Sequence, residues 1–214
     1  MDIQLTAHNL GKRFQTEWVF RNLNFSFTAG NTYAITGPNG SGKSTLLQML
    51  SGYLPPSEGS ISLMINQAPV ESDDIYSYIS FTAPYMELID EMTLMEQILF
   101  HLRLKPALQG FSPERIIEEL YLTDATNTFI GNFSSGMKQR LKLGLCFFTG
   151  CPIMLLDEPS SNLDEKAIQW YRDYLVKYGS GRLVIIAGNN RLEFPPETHH
   201  LAIQAYKPAK KPVT

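Results

Sequence analysis

The chain has 214 residues, 43% of them hydrophobic, with 18 basic and 21 acidic side chains and two cysteines. That length allows one substantial core with room for a subdomain, and the near-balanced charge, with no dense basic block besides the terminal KPAKKPVT, argues against a nucleic-acid surface. Cys146 and Cys151 sit among apolar residues without a zinc-like histidine spacing, no window approaches the ~18 apolar residues of a membrane span, and no leader pattern is present, so a soluble, intracellular chain with buried thiols is expected.

IQLTAHNL and WVFRNLNFSFT predict two strands, the second alternating around Val19, Leu23, Phe25 and Phe27. TYAIT reads as a short buried strand that runs into GPNGSGKST, and STLLQMLSG continues as a helix that Gly52 can close. GSISLMI and YSYISFT are further strand candidates. TLMEQILFHLRL and SPERIIEELYL carry helical periodicity, the latter with Ser112 as N-cap and Pro113 in the first helical position. FSSGMKQRLKLGLCFF predicts a helix starting near Ser134 or Ser135, followed by the strand PIMLL. DEKAIQWYRDYLVKY reads as an amphipathic helix closed by Gly179, and RLVIIA as a last core strand. Strands and helices in alternation predict an α/β sheet whose ligand site lies at the carboxyl ends of the strands.

Three constellations carry chemistry. Gly37, Pro38, Asn39, Gly40, Ser41, Gly42, Lys43, Ser44 and Thr45 fit the phosphate-binding loop. Its glycines let backbone N–H groups curl around phosphates, Lys43 adds a cation, and Ser44 offers a hydroxyl to Mg²⁺. Asp157 and Glu158 end a buried strand, where Asp157 can hold the metal and Glu158 can orient a water in line with the γ-phosphate. The bland alternative for these two acids is capping of the following turn. The third is LVIIAGNN, where Asn189 and Asn190 follow a core strand and read either as a turn or as a ligand contact.

GPNGSGKST, FSSGMKQR and LLDEPSSNLD, in that order, resemble the ATP-binding cassette proteins, the nucleotide-binding subunits of ABC transporters. The resemblance covers nearly the whole chain. It implies an α/β fold, a P-loop NTPase core with an N-terminal antiparallel β region and an inserted α-helical subdomain. The division it implies is a single domain over 1–214, with the nucleotide-binding core at 1–84 and 150–206, the helical subdomain with the signature helix at 85–149, and a tail at 207–214. It further implies ATP and Mg²⁺ as ligands, and a dimer in which Ser134 and Gly136 of one chain close over the γ-phosphate held by the other. Phe14, or Trp18 four residues on, would stack on adenine. Asp164 would lie in the loop crossing the dimer interface, a role compatible with capping the next helix.

Four features depart from the family pattern. Ser135 replaces the first glycine of the signature. Met137 replaces its last polar residue. Pro84 falls where the family carries a Gln that approaches the metal, so direct contact there is lost unless a neighbour such as Glu87 substitutes. Asn189 replaces a His that bonds the γ-phosphate, and an amide adds no charge. The expectation is an ATPase subunit with slow turnover and largely intact ATP binding. It would pair with itself or a related cassette chain and power a separate transmembrane permease on the inner face of the cell membrane, without nucleic acid. Met86, Met92, Met95, Leu88 and Ile89 cluster where the family docks that permease, although such residues at helical spacing also build cores. Two other readings stay open: a cassette that uses ATP to dimerise with little hydrolysis, and a cassette ATPase of a cytosolic assembly.

Overall fold

Two sheets organise residues 1–208, which the computed structural model describes. The first is antiparallel, in the order β2-β1-β4-β5, from β1 (Ile3–Phe14), β2 (Glu17–Thr28), β4 (Glu58–Ile65) and β5 (Ala68–Val70). Leu5 pairs with Phe27 and Leu10 with Leu23, and all four are buried on one face, as the period of two requires. Register shifts after Ala7 carry β1 beyond the predicted end at Leu10 as far as Phe14. Such bulges bend and re-aim a strand, and here the hairpin they end in carries Val19 to the glycine-rich loop.

The second sheet is parallel throughout, in the order β6-β7-β8-β3-β9, with β3 (Thr32–Thr36), β6 (Ile79–Thr82), β7 (Ile153–Asp157), β8 (Leu183–Ala187) and β9 (His199–Ala202). Alternate residues of its central strands enter different cores. Ile153, Leu155, Leu183 and Ile185 pack with the antiparallel sheet and with Leu46, Leu47 and Leu50 of α1 (Lys43–Leu50). Met154, Leu156, Val184 and Ile186 pack with α4 (Ser135–Phe147) and α5 (Glu165–Gly179), which contribute Phe147 and Tyr171. Cover on both faces explains why these strands read as continuous apolar runs. The helices α2 (Leu94–Leu104) and α3 (Pro113–Glu119) share the second core through Leu94, Ile98, Ile116 and Ile117. Cys146 and Cys151 are buried free thiols, as expected. Because every strand of this sheet runs the same way, Thr36, Asp157 and Ala187 end at one edge, and the loops that follow them are neighbours.

Several elements differ from the sequence expectation. YSYISFT is a strand only over its last four residues, since β6 pairs with β7 from Ile153 onward and Ser72–Tyr78 turn into a 3₁₀ helix with no strand to pair. Helix α3 stops at Glu119 because Tyr121 takes a left-handed conformation (φ 54°) that lets Leu120 and Leu122 both enter the core. Gly179 is the last residue of α5 rather than its stop. The chain turns at Gly181 (φ 77°), with the Arg182 N–H donating to the Gly179 carbonyl at 3.0 Å, the glycine position of a type II turn. The short edge strands β5 and β9 were not foreseen, as neither carries an apolar alternation long enough to read. Of the tail expected at 207–214, residues 209–214 lie outside the described residues.

Candidate functional site

The loop between β3 and α1 folds tightly around its glycines. Gly42 adopts φ 104°, and a β-carbon there would lie 2.5 Å from Val19 Cγ1. At Gly37 it would meet Ser41 Oγ at 2.7 Å and Ile203 Cγ2 at 2.9 Å. Side chains are excluded at both points, so the backbone closes into a cradle. Lys43, the first residue of α1, is buried and donates from Nζ to the carbonyls of Gly37 (2.8 Å) and Pro38 (3.3 Å). Gly42 supplies no side-chain cap to α1, so the helix's first N–H groups point into the cradle unmet by any side chain. Val19, Asn39, Gly40, Ser41, Gly42, Lys43, Ser44, Thr45 and Glu158 line a cavity of about 260 Å³.

Asp157 ends β7 only 1% exposed, and neither of its carboxylate oxygens has a hydrogen-bond partner. Burial raises its pKa above the ordinary carboxylate value, against the opposing pull of the Ser44 and Tyr85 hydroxyls and the Lys43 charge. A buried acid with two unmet oxygens beside a serine hydroxyl fits a divalent cation. Among the described residues no three His, Cys, Asp or Glu side chains gather into a metal site. The ion would therefore bind through Ser44, Asp157 and phosphate oxygens together.

Glu158 is held in the left-handed region (φ 42°), a conformation that costs a non-glycine residue about 1–3 kcal/mol. Its N–H donates to the Ala187 carbonyl of β8 at 2.8 Å, which ties it to the sheet and turns its side chain toward the cavity. Asn189 also reaches the loop, since its amide lies 2.7 Å from the Asn39 side chain and faces the carbonyls of Gly37 (2.5 Å) and Gly188 (3.2 Å). Asn190 keeps the turn role, its Oδ1 accepting the Leu192 N–H at 3.0 Å.

The remaining predicted residues lie elsewhere. Ser134 is exposed and caps α4, accepting the Met137 N–H at 3.2 Å. A β-carbon on Gly136 would sit 3.3 Å from the Asn162 carbonyl, and buried Gln139 donates to the Pro159 carbonyl at 3.1 Å. The start of α4 is thus knitted to the loop after β7, yet neither Ser134 nor Gly136 lines the cavity of its own chain. Asp164 caps α5 through the Ala167 N–H at 2.8 Å. Met137 packs against the second core. Trp18 lies between Arg13 and Arg21, their guanidinium carbons 5.4 Å and 4.6 Å from its ring, while Phe14 is 51% exposed with the Lys12 ammonium 5.3 Å away.

Two findings correct or extend the sequence reading. Glu87 faces a cleft with Met86, Leu88, Gln97 and Lys142 rather than Asp157. Tyr85, the residue after Pro84, is the one brought beside Asp157 and Gln48; burial, aided by Asp157 and opposed by the Gln48 hydrogen bond, moves its phenol up to about 12. Its hydroxyl, one position from the expected Gln, was the available signal. Of the methionine cluster, Met86 and Ile89 are exposed whereas Leu88 and Met95 pack on the second core.

A parallel sheet with a glycine-rich loop after β3, and adjacent acids ending the neighbouring region of the sheet, defines a P-loop nucleotide-binding protein. A family model described as ABC transporter matches residues 20–161. The chain belongs to that family, as an ATP-binding cassette. It is 32% identical to the cytochrome c biogenesis ATP-binding export protein CcmA of Reclinomonas americana, over 91% of this chain and 88% of that protein. It is 30% identical to the uncharacterized ABC transporter ATP-binding protein YybJ of Bacillus subtilis (strain 168), over 86% and 84% respectively. Against ATP-binding cassette sub-family A member 7 of Mus musculus the identity is 32%, and the match spans 84% of this chain but only 8% of that protein's length. A dimeric bacterial ABC transporter cassette superposes with a TM-score of 0.76 at 21% identity, over 94% of this chain and 95% of that one, a likeness of fold.

Proposed function

We propose that the chain binds and hydrolyses ATP with Mg²⁺ as one half of a cassette dimer, coupled to a separate transmembrane permease. The observation that carries this reading is the convergence of Lys43, Ser44 and Glu158 on one cavity, with the unmet Asp157 oxygens beside Ser44 and Lys43. When bound, Mg²⁺ would neutralise charge on the β- and γ-phosphate oxygens. Lys43 and the N–H groups of Gly40 and of Gly42 to Thr45 would hold the phosphates, and Ser44 and Asp157 would hold the metal. Glu158 accepts a hydrogen bond from the attacking water, and Asn189 donates one to the γ-phosphate. Ser134, Gly136 and the first N–H groups of α4 come from the partner chain, which fits the exposure of Ser134 and the absence of both residues from their own chain's cavity. Asp164 lies at that junction while capping α5. Phe14 stacks on adenine, since the face of Trp18 is engaged by arginines. Tyr85 would serve beside the metal where Pro84 has no ligating side-chain atom to offer. The cleft beside Met86 and Glu87 receives the permease, with exposed Leu99, Phe100 and Leu104 on the neighbouring helix. In this reading the chain works at the cytoplasmic face of a membrane.

Support for the dimer includes the related cassette solved as a dimer and again after hydrolysis with ADP and Pi. The Glu158→Gln chain, run through size exclusion with light scattering, is expected to shift from monomer to dimer on addition of MgATP. A monomer under both conditions would sink the sandwich reading.

One observation favours the slower reading, in which ATP acts mainly to hold the dimer. The Asn189 amide is committed to the loop itself, donating to Asn39 Oδ1 or, with its oxygen and nitrogen exchanged, to the Gly37 carbonyl. If the missing charge limits turnover, Asn189→His raises kcat by about tenfold, the effect of one charge-assisted hydrogen bond gained at the transition state. Unchanged turnover and dimerisation in Asn189→Ala would remove Asn189 from the site.

A further inference from the structure

Glu193 is a carboxyl that the proposed reaction does not touch, and it is only 3% exposed. It closes the 3₁₀ turn Arg191–Glu193 that follows Asn189 and Asn190. Its Oε1 accepts two hydrogen bonds from Ser160, from the hydroxyl at 2.6 Å and from the backbone N–H at 3.2 Å. Oε2 has no partner and lies against Gly188, where any β-carbon would overlap it. The Tyr171 hydroxyl donates to the Glu193 carbonyl at 2.9 Å and anchors the turn on α5. Asn190 Nδ2 reaches the Ser160 hydroxyl at 3.4 Å.

Ser160 stands between Glu158 and Asp164 on one loop, and Gly188 directly precedes Asn189 on the other. One buried side chain therefore touches both loops that hold the candidate hydrolytic groups. An apolar side chain would fill the space without the cost of desolvating a carboxyl, so packing alone does not account for an acid here.

We propose that Glu193 is a positioning residue for hydrolysis: it couples the loop of Glu158 and Asp164 to the loop of Asn189, so that a phosphate engaging one loop shifts both. The proposal rests on the nucleotide-site reading given above. Gly188 supports it sterically, because the carboxyl occupies the space a side chain there would need.

The test combines steady-state kinetics with hydrogen exchange of the full chain, with and without Mg²⁺ and a slowly hydrolysed ATP analogue. In the wild type the nucleotide is expected to slow exchange in segments 37–45, 158–164 and 188–193 together. In Glu193→Ala the first segment keeps its protection and the second loses it, while kcat falls about tenfold and KM stays within about twofold. Glu193→Gln retains an acceptor for Ser160 and recovers most of the rate. Ser160→Ala, which leaves the acid in place, reproduces the loss, and the double variant is no slower than either single one. The proposal is overturned if all three segments stay protected in Glu193→Ala at near wild-type kcat. It is equally overturned if protection vanishes everywhere in both single variants with a lowered Tm, the mark of a purely structural role. Absence of protection at 37–45 in the wild type would instead mark failure of the nucleotide-site reading, and the Glu193 proposal would fall with it.

Discussion

Glu158→Gln is expected to lower ATP turnover by about 10²–10³-fold while ATP affinity changes little, the range typical of losing a positioned base. The substitution keeps the shape of the side chain and its left-handed backbone, so the anchor from its N–H to the Ala187 carbonyl survives. It removes only the capacity to accept strongly from an in-line water. The strain at φ 42° supports this assignment, because the backbone holds an uncommon conformation that turns Glu158 to the cavity. Phosphate release by wild type and variant at saturating MgATP checks it. Equal rates would remove Glu158 from the chemistry and leave the cassette a nucleotide-gated binding module.

Asp157→Asn is expected to act in opposite directions on stability and on function. Burial raises the Asp157 pKa above its unfolded value. Its contribution to stability is therefore greatest below the unfolded pKa of about 3.9 and is lost as pH rises through the raised folded value. Above the unfolded pKa the fold bears the cost of this buried carboxyl with two unpartnered oxygens, and a neutral amide relieves it. The variant should melt a few degrees higher than wild type without nucleotide, on a scale where about 1 kcal/mol moves the Tm of a chain this size by about 2–4 °C. MgATP should raise the wild-type Tm more than the variant's, since a ligand that binds only the folded state stabilises it in proportion to its affinity. Turnover in the variant should drop about 10²-fold or more, as one of two metal-holding groups is gone. Scanning fluorimetry with and without MgATP separates the effects. A variant that melts lower without nucleotide would overturn the argument from burial.

Local chemistry was enough to find the glycine-rich cradle. The glycines, Lys43 and Ser44 are contiguous, and their roles depend on backbone freedom and on the start of one helix. The apolar run before Asp157 and Glu158, and the caps at Ser112, Ser134 and Asp164, were equally readable, because strand period and helix capping are short-range. The strand YSYISFT was misjudged over its first residues because strand length depends on a partner 70-odd residues away.

Sequence by itself determined the class of fold, the glycine-rich loop that opens α1 and the pair of acids that follow the apolar run of β7. Only tertiary structure decided which neighbour stands beside Asp157, placing Tyr85 there and turning Glu87 into a separate cleft. It alone engaged Trp18 with two arginines and left Phe14 half exposed beside the Lys12 ammonium, and it alone joined Ser160 to Glu193 across the ends of two strands. The reason is physical. Motifs are encoded by residues that follow one another, whereas these contacts arise where parallel strands bring distant loops to a common edge.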